Sequence, residues 1–218
     1  MSKPDKEDNP MSSWESADIF PFPIWKGHYP GDLTELRKKT YSFLENSEHL
    51  NAGLERDGGA SSSTDPEEPH VWHESMDFYK WAQGPSAEIW KHWCYMDITD
   101  RKIARSWANF HPKGGWTDQH THGVTDQVMV LYLDCPPNSG DLEIHNPLFY
   151  HWEGTKRIGG SNGWRPIKVK TGDVVIFPGW VLHRTGKNLG DKPRVTINTN
   201  IMALREAPTS IAKPIPQQ

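Results

Sequence analysis

The sequence has few cysteines, no long apolar run and no large excess of one charge. Its 218 residues include two cysteines, Cys94 and Cys135, too few for a disulfide framework or a thiolate zinc site. No stretch approaches the roughly 18 apolar residues of a membrane-spanning helix. The formal net charge is −4, with no basic run. We therefore expect no membrane insertion and no nucleic acid as a main partner.

The N-terminal residues also lack the features of a targeting segment. Residues 1–10, MSKPDKEDNP, are polar and charged, so we expect no signal peptide. Together with the low cysteine count, this predicts a cytoplasmic protein with buried thiols. Tryptophan and histidine, by contrast, are abundant, with eleven residues of each. We expect most tryptophans to be packing residues, although clustered aromatic side chains also line pockets.

The length of the chain suits a single domain with one sizeable core. We expect residues 1–18 to form a flexible N-terminal arm, 19–206 the domain, and 207–218 a proline-rich tail. Within the domain, the pattern predicts a helical N-terminal part over 30–100 and a β core over 101–204.

The N-terminal part carries an edge-strand signal followed by a helix signal. Residues 19–25 contain two prolines, which cannot donate ladder hydrogen bonds, so they predict an edge strand. Asp32 can cap the helix that follows. The apolar residues expected on one face of this helix are Leu33, Leu36, Phe43 and Leu44.

The next segments are less regular. Residues 51–69 are rich in Gly, Ser, Asp and Glu, which predicts a loop or flexible connector. Residues 72–100 carry four tryptophans and are expected to be helical in part. Because Pro85 is tolerated in a first helical turn, we expect that helix to start at Ser86.

From residue 103 onward, short apolar runs alternate with turn residues. Six of these runs predict strands: 103–110, 127–134, 141–145, 167–170, 174–177 and 194–201. Many short strands without intervening helices predict a β-sandwich or β-barrel.

Three histidines are spaced as metal ligands would be. On an extended segment His120 and His122 point to the same face, so both can reach one ion. His183 follows a tight turn and an apolar strand and can supply a third ligand from far along the chain. Taken alone, a His-x-His pair is more often two surface or core histidines. Imidazole suits iron, copper, nickel and zinc, so these ligands do not select the metal.

Four polar residues complete the pattern. Arg194 lies eleven residues after His183, and Thr196 follows on the same strand face. An arginine fork and a hydroxyl can hold a carboxylate between them. Tyr132 can face inward by parity, and Asn109 is a candidate contact for a substrate or cosubstrate.

The order of these motifs resembles that of the Fe(II)/2-oxoglutarate oxygenase superfamily. The matching segments are Trp107-Ala108-Asn109, His120-Thr121-His122, Leu131-Tyr132-Leu133, Ser139-Gly140-Asp141-Leu142, Asn146-Pro147, Phe177-Pro178, His183 and Arg194-Val195-Thr196. More narrowly, the chain is similar to a family of 2-oxoglutarate oxygenases from marine bacteria and phages. The resemblance covers nearly the whole chain and is weakest in 50–100.

The resemblance implies a mainly β fold, a double-stranded β-helix (jelly-roll, cupin-like) with N-terminal helices packed on it. It further implies iron(II) held by His120 and His183, with 2-oxoglutarate as chelating cosubstrate and dioxygen as oxidant. The distal carboxylate of 2-oxoglutarate would be held by Arg194 with help from Thr196 or Tyr132. The implied reaction hydroxylates an unactivated carbon of a small molecule or peptide and releases succinate and CO2.

One departure from the superfamily pattern concerns His122. The usual triad is two histidines and one carboxylate, and His122 stands at the carboxylate position. Three outcomes are open: a three-histidine iron site, an altered metal preference, or a site that His122 does not join. Asp118 and Asp126 are nearby, but neither has the spacing of a ligand, so we rank both below His122.

Two other functions compete with this hypothesis. The first is a three-histidine cupin-type dioxygenase that does not use 2-oxoglutarate, against which the placement of Arg194 and Thr196 argues. The second is a non-catalytic jelly-roll binding module whose histidines are structural or hold zinc. A homodimer formed through the edge strand 19–25 is a further hypothesis.

Three other basic residues are expected to take no part in the metal site or the carboxylate site. His145 has parity opposite to the apolar residues of its strand, so we expect it to point outward as a surface or loop residue. His111 lies in loop-like sequence and is expected to be solvated. Arg184, next to His183, is expected to face away and is a weaker candidate than Arg194 for the carboxylate anchor.

Overall fold

The computed structural model describes residues 24–46, 53–62, 77–93, 101–147 and 163–203. It contains two helices, α1 (Thr34–Asn46) and α2 (Asp77–Trp93). The described strands are β1 (Trp25–His28), β2 (Glu55–Arg56), β3 (Ala60–Ser61), β4 (Arg101–His111), β5 (Trp116–Thr117), β6 (Gln127–Asp134), β7 (Leu142–His145), β8 (Trp164–Ile167), β9 (Asp173–Pro178), β10 (His183–Thr185) and β11 (Arg194–Ala203). The predicted arm, the predicted tail and most of the predicted edge strand lie outside the described residues.

The strands form two main antiparallel sheets. The larger has the order β1-β9-β6-β11-β4-β3, and the smaller has the order β10-β7-β8. From β4 onward the chain alternates between the two sides of the barrel: β4, β6, β9 and β11 belong to the large sheet, and β7, β8 and β10 to the small one. A short bridge between His120 and His183 brings the segment after β5 to the small sheet. This winding is the double-stranded β-helix, so the predicted mainly β jelly-roll is confirmed.

The large sheet is buried on both faces. Along β6, alternate residues enter two different hydrophobic clusters, as the period of two in a strand requires. Met129, Leu131 and Leu133 face the cluster that includes the helices. Val128, Val130 and Tyr132 face the cluster between the two sheets. The second cluster forms the interior in which the site lies.

Helix α1 agrees with the sequence prediction. Asp32 caps it, since its Oδ1 accepts the backbone N–H of Thr34 at 2.9 Å. Leu36 and Leu44 are buried against the large sheet, and Phe43 packs beside them. The predicted apolar face is therefore the face that covers the barrel.

Helix α2 begins earlier than predicted. It starts at Asp77 and continues through Pro85, so the expected start at Ser86 is wrong. Proline has no N–H to donate to the preceding turn, which is costly in a helix interior. Here the residues before Pro85, among them Phe78 and Tyr79, are buried in the core. Their burial offsets the lost hydrogen bond.

The strand predictions are accurate in the middle of the barrel and weaker at its edges. β6 has the predicted bounds, and β4, β9 and β11 extend the predicted segments at their ends. The strand predicted at 167–170 is wrong, because β8 ends at Ile167. β5 and β10 were not predicted, since strands of two or three residues carry too little pattern.

The segment predicted as a loop at 51–69 contains an ordered hairpin. β2 and β3 flank a tight turn in which Asp57 (φ 54°) and Gly58 (φ 86°) both have positive φ. An Asp-Gly pair is typical of such turns. β2 pairs with β5 and β3 with β4, so the hairpin closes the side of the barrel between those two strands. Neither described helix has the length and apolarity needed to cross a membrane.

Candidate metal centre

The three predicted histidines meet at one end of the barrel interior. His120 and His183 are joined by two backbone hydrogen bonds of 2.9 and 3.0 Å, which fix their side chains next to each other. His122 lies two residues further on, toward the same side. The ring nitrogens that face each other in this cluster lie within 4.8 Å of one another. The structure thus brings His120, His122 and His183 together, and their role as metal ligands stays a prediction.

The three rings share one hydrogen-bonding pattern. Each Nδ1 faces an oxygen: the distances are 2.8 Å from His120 to the Asp118 carbonyl, 2.8 Å from His183 to the Val181 carbonyl and 2.6 Å from His122 to Asn200 Oδ1. An oxygen of this kind only accepts, so each Nδ1 carries the proton and each Nε2 keeps its lone pair. This is the arrangement that orients histidines as metal ligands. His122 has this Nδ1 hydrogen bond just as His120 and His183 do.

Burial keeps the three imidazoles neutral. It lowers the pKa of His120, lowers that of His122 to about 4 and holds that of His183 well below its usual value. Trp107 stacks on His122 with ring centroids 5.6 Å apart, and Phe177 packs edge-on against His183 at 4.7 Å. Neutral, fixed imidazoles can bind a metal without first losing a proton.

The candidate carboxylates make other contacts. Asp118 receives a hydrogen bond from Arg56 at 3.2 Å, and Asp126 accepts the backbone N–H of Ala203 at 2.9 Å. Among the described residues, the metal-type cluster contains histidines alone. Neither aspartate is therefore a better candidate than His122 for the third metal ligand.

A cavity of about 370 Å³ opens in front of the three histidines. The predicted contact residues Asn109, Tyr132 and Thr196 are all in its wall. Polar wall residues that were not predicted as contacts are Glu55, Ser61, Arg105, Thr117, Thr121, Thr185, Asn198 and Asn200. The histidine cluster therefore faces a chamber lined with hydrogen-bonding groups.

Arg194 is fully buried behind this wall and does not line the cavity itself. Its Nη1 donates to the carbonyls of Ser139 (2.6 Å) and Gly186 (3.2 Å), and its Nη2 donates to Nδ1 of His111 (3.2 Å). Its Nε is buried with no hydrogen-bond partner in the described parts of the chain. Burial lowers the pKa of Arg194, and the nearby Tyr132 opposes that effect.

Two histidine predictions need correction. His111 was expected to be solvated but is fully buried at the end of β4, where its Nε2 lies 2.7 Å from the Thr117 hydroxyl. It shares a strand face with Asn109, so its parity pointed inward. His145 was expected at the surface but is 8% exposed, because Trp164 covers it at 4.9 Å. It does stay outside the histidine cluster, as its parity predicted.

Arg184 lies where the sequence placed it. It faces away from the cavity, donates to Glu143 at 2.6 Å and stacks on the Trp164 ring at 4.2 Å. With a carboxylate already bound, it is not available as an anchor for a ligand in the barrel.

Other wall residues differ in how well the sequence could have revealed them. Asn200 lies on the same face of β11 as Arg194 and Thr196, so the strand period alone could have identified it. Glu55 could not be found in this way, because it reaches the cavity from a hairpin whose sequence resembles a loop.

The fold and the site together define a double-stranded β-helix with a cluster of three histidines that opens onto a polar cavity. Residues 105–200 match the family model described as "Putative 2OG-Fe(II) oxygenase". Over these residues the β core of the chain is similar to the 2OG-Fe(II) oxygenases, a family of non-haem iron oxidoreductases. That family implies Fe(II), 2-oxoglutarate and dioxygen. No curated protein sequence matches the chain.

Solved structures of low sequence identity share the fold. A Pseudomonas putida prolyl-4-hydroxylase is 14% identical, with a TM-score of 0.56 over 84% of this chain and 94% of that one. The carbocyclase SnoK from nogalamycin biosynthesis is 11% identical, with a TM-score of 0.59 over 84% and 80%. The collagen prolyl hydroxylase of Paramecium bursaria chlorella virus 1 is 14% identical, with a TM-score of 0.52 over 83% and 96%.

Proposed function

We propose that this protein is an Fe(II)- and 2-oxoglutarate-dependent dioxygenase that hydroxylates an unactivated carbon of a small molecule or peptide and releases succinate and CO2. One observation carries the proposal. Three histidine Nε2 atoms converge on a cavity, and behind the wall of the same cavity lies a buried arginine. No acidic side chain pairs with that arginine in the described part of the chain. A histidine cluster in the cavity and a buried cation behind its wall suit a small ligand that binds metal at one end and carries a carboxylate at the other.

His120, His122 and His183 would hold the iron. All three are neutral, and all three have Nδ1 occupied, which leaves Nε2 for the metal. When bound, iron with 2-oxoglutarate and dioxygen supplies the oxidising chemistry. The residues of the chain bind and orient these groups and exclude water around them.

Arg194 has enough unused N–H donors to bind a carboxylate. A guanidinium has five N–H donors, and three of them reach Ser139, Gly186 and His111. The two that remain are on Nε and Nη2, which can bind the two oxygens of a carboxylate side by side. A buried cation without an anion is unfavourable. Binding of the distal carboxylate of 2-oxoglutarate would supply the missing charge.

The wall in front of Arg194 adds hydroxyl and amide groups. Tyr132 lies close enough to Arg194 for each group to affect the pKa of the other, and Thr196 is the next inward residue on the strand of Arg194. We propose that both hydroxyls contact the cosubstrate. The amide oxygen of Asn109 accepts the Ser61 hydroxyl at 2.7 Å. Its amide nitrogen is the donor left for cosubstrate or substrate.

The two competing functions fit less well. A cupin-type dioxygenase without 2-oxoglutarate gives no role to the unpaired Nε of Arg194. A binding module gives no reason for three neutral histidines that each have Nδ1 bonded to an oxygen. Similar structures include two prolyl hydroxylases and a carbocyclase, so both peptides and small molecules stay in the proposal. A cytoplasmic location, a homodimer and the absence of nucleic-acid and membrane partners remain predictions.

Succinate formation tests this function. Purified protein supplied with iron(II), 2-oxoglutarate and air should release succinate slowly even without its substrate, and His120→Ala and His183→Ala should abolish the release. His145→Ala is the matched control, since this histidine lies outside the cluster, and it should keep the release. If iron binds but 2-oxoglutarate is not consumed, the cupin-type alternative is favoured. If iron does not bind, the chain is a binding module.

A further inference from the structure

In the part of the chain that the structure describes, Arg194 is held by two backbone carbonyls and by one side chain, that of His111. The imidazole is fully buried at the end of β4, and it bridges Arg194 on one side and Thr117 on the other. It touches neither the histidine cluster nor, among the described residues, the cavity. It is therefore a buried titratable group to which the proposed chemistry assigns no part.

The direction of the hydrogen bonds follows from donor chemistry. Arginine only donates, so Nδ1 of His111 must accept from Nη2 of Arg194 over 3.2 Å. The proton of this imidazole is then on Nε2, which donates to the Thr117 hydroxyl at 2.7 Å. The Thr117 hydroxyl is thereby free to donate onward, and it favours the ionised form of the buried Glu55 carboxyl. One tautomer of His111 satisfies both neighbours.

This bridge restricts the guanidinium. With both Nη1 hydrogens on Ser139 and Gly186 and one Nη2 hydrogen on His111, the plane of Arg194 is fixed at three points. Among the described residues, the Nε side is the side left without a partner. Thr117 is itself in the cavity wall and lies three residues before His120. The bridge thus links the anion site to the strand that leads to the metal site.

We propose that His111 is a positioning residue for the cosubstrate: its imidazole, bonded to Thr117, fixes Arg194 so that Nε and Nη2 meet the distal carboxylate of 2-oxoglutarate. This inference rests on the proposed function. It predicts that loss of the imidazole weakens binding of the distal carboxylate specifically. Binding of the metal, and chelation of the metal by a 2-oxo acid, should not depend on it.

The test compares two 2-oxo acids on the iron(II)-loaded protein without oxygen. 2-Oxoglutarate has a distal carboxylate and pyruvate has none, and both can be titrated by the visible band of their iron chelates. His111→Leu, which removes both hydrogen-bonding groups, should weaken 2-oxoglutarate binding about 10- to 100-fold. The same variant should leave the affinities for iron(II) and for pyruvate unchanged. These unchanged affinities also show that the variant is folded.

His111→Gln is the conservative variant, because its amide can accept from Arg194 and donate to Thr117 at once. It should restore most of the affinity for 2-oxoglutarate, whereas a residue that only fills space would not be rescued in this way. If His111→Leu does not fold, Thr117→Val replaces it in the test. This variant keeps the shape of the side chain but loses the hydroxyl, and it should also weaken 2-oxoglutarate binding. Equal losses for pyruvate and 2-oxoglutarate, or no loss for either, would overturn the inference. If the wild type binds pyruvate and 2-oxoglutarate equally or not at all, the proposed function itself fails.

Discussion

Asn200 is the residue that gives His122 the orientation of a ligand. The backbone orients His120 and His183, since their Nδ1 atoms face main-chain carbonyls. His122 depends instead on one side-chain oxygen, 2.6 Å away. Without that acceptor, the ring could exchange its tautomer or turn. His122, the proposed third ligand, is therefore the most sensitive of the three histidines to a neighbouring substitution.

We predict that Asn200→Leu weakens iron(II) binding about 10- to 100-fold, as expected when the partner of a ligand is lost. Asn200→Asp keeps an acceptor for Nδ1 and should keep most of the affinity. Asn198→Leu is the matched control, because Asn198 lies on the same strand face but donates to Thr196 and not to a histidine. Anaerobic metal titration measures all three. Equal affinities for Asn200→Leu and Asn198→Leu would show that His122 is not a ligand.

Among individual residues, the sequence revealed those whose spacing matches the two-residue period of a β-strand. The histidine pair was found from its spacing of two residues, and Tyr132, Thr196 and Arg194 follow the period of two along their strands. The sequence failed where a contact is made between distant segments. That Asn200 would face His122, or that His111 would meet Arg194, depends on which strands are neighbours.

The hairpin formed by β2 and β3 is the element that completes the cavity wall. It brings Glu55 and Ser61 to the cavity. Two ion pairs hold it in place, Lys187 with Asp57 at 2.7 Å and Arg56 with Asp118 at 3.2 Å. Exposed pairs of this kind contribute little to stability. The pairing of β2 with β5 and of β3 with β4 is the stronger constraint.

Gly58 allows the turn of this hairpin. Its φ is +86°, a conformation that residues with a side chain rarely adopt. We predict that Gly58→Ala lowers the free energy of unfolding by about 1 kcal/mol, measured by urea denaturation. Gly27→Ala is the control, since no atom of the described residues lies within 4 Å of its added Cβ, and it should be close to neutral. The prediction is wrong if both variants unfold alike.

Elements of the fold were predictable in proportion to their length and regularity. β6, with seven of its residues buried, was found with its bounds. α2 was found, but its start was misplaced, because tertiary burial of Phe78 and Tyr79 outweighed the cost of Pro85. The hairpin was taken for a loop because its four strand residues gain their order from β4 and β5, which the local sequence does not reveal.

For the whole molecule, buried neutral histidines make stability depend on pH. Burial, with a smaller effect of the Arg194 charge, lowers the pKa of His111 to about 3. The unfolded chain takes up a proton on this residue near pH 6.5, and the folded chain only near 3. Between these values the unfolded state binds more protons, so stability falls as the pH falls.

We predict that the free energy of unfolding of the metal-free protein decreases below pH 6.5, with His111 contributing up to about 1.4 kcal/mol per pH unit. His111→Gln lacks this group, so its decrease between pH 6 and 4 should be shallower by that amount. Urea denaturation at a series of pH values compares the two proteins. Parallel pH profiles would mean that His111 does not stay neutral in the folded state.

The central claim is that one cavity binds iron(II) through three histidines and 2-oxoglutarate through Arg194. Anaerobic titration with iron(II) and then with 2-oxoglutarate tests it most directly, because the chelate has a visible charge-transfer band. We predict that the wild type and the control Arg184→Met give the band at similar 2-oxoglutarate concentrations. Arg194→Met should bind iron equally well but need much more 2-oxoglutarate. An unchanged 2-oxoglutarate titration in Arg194→Met, or no band in the wild type, would contradict the claim.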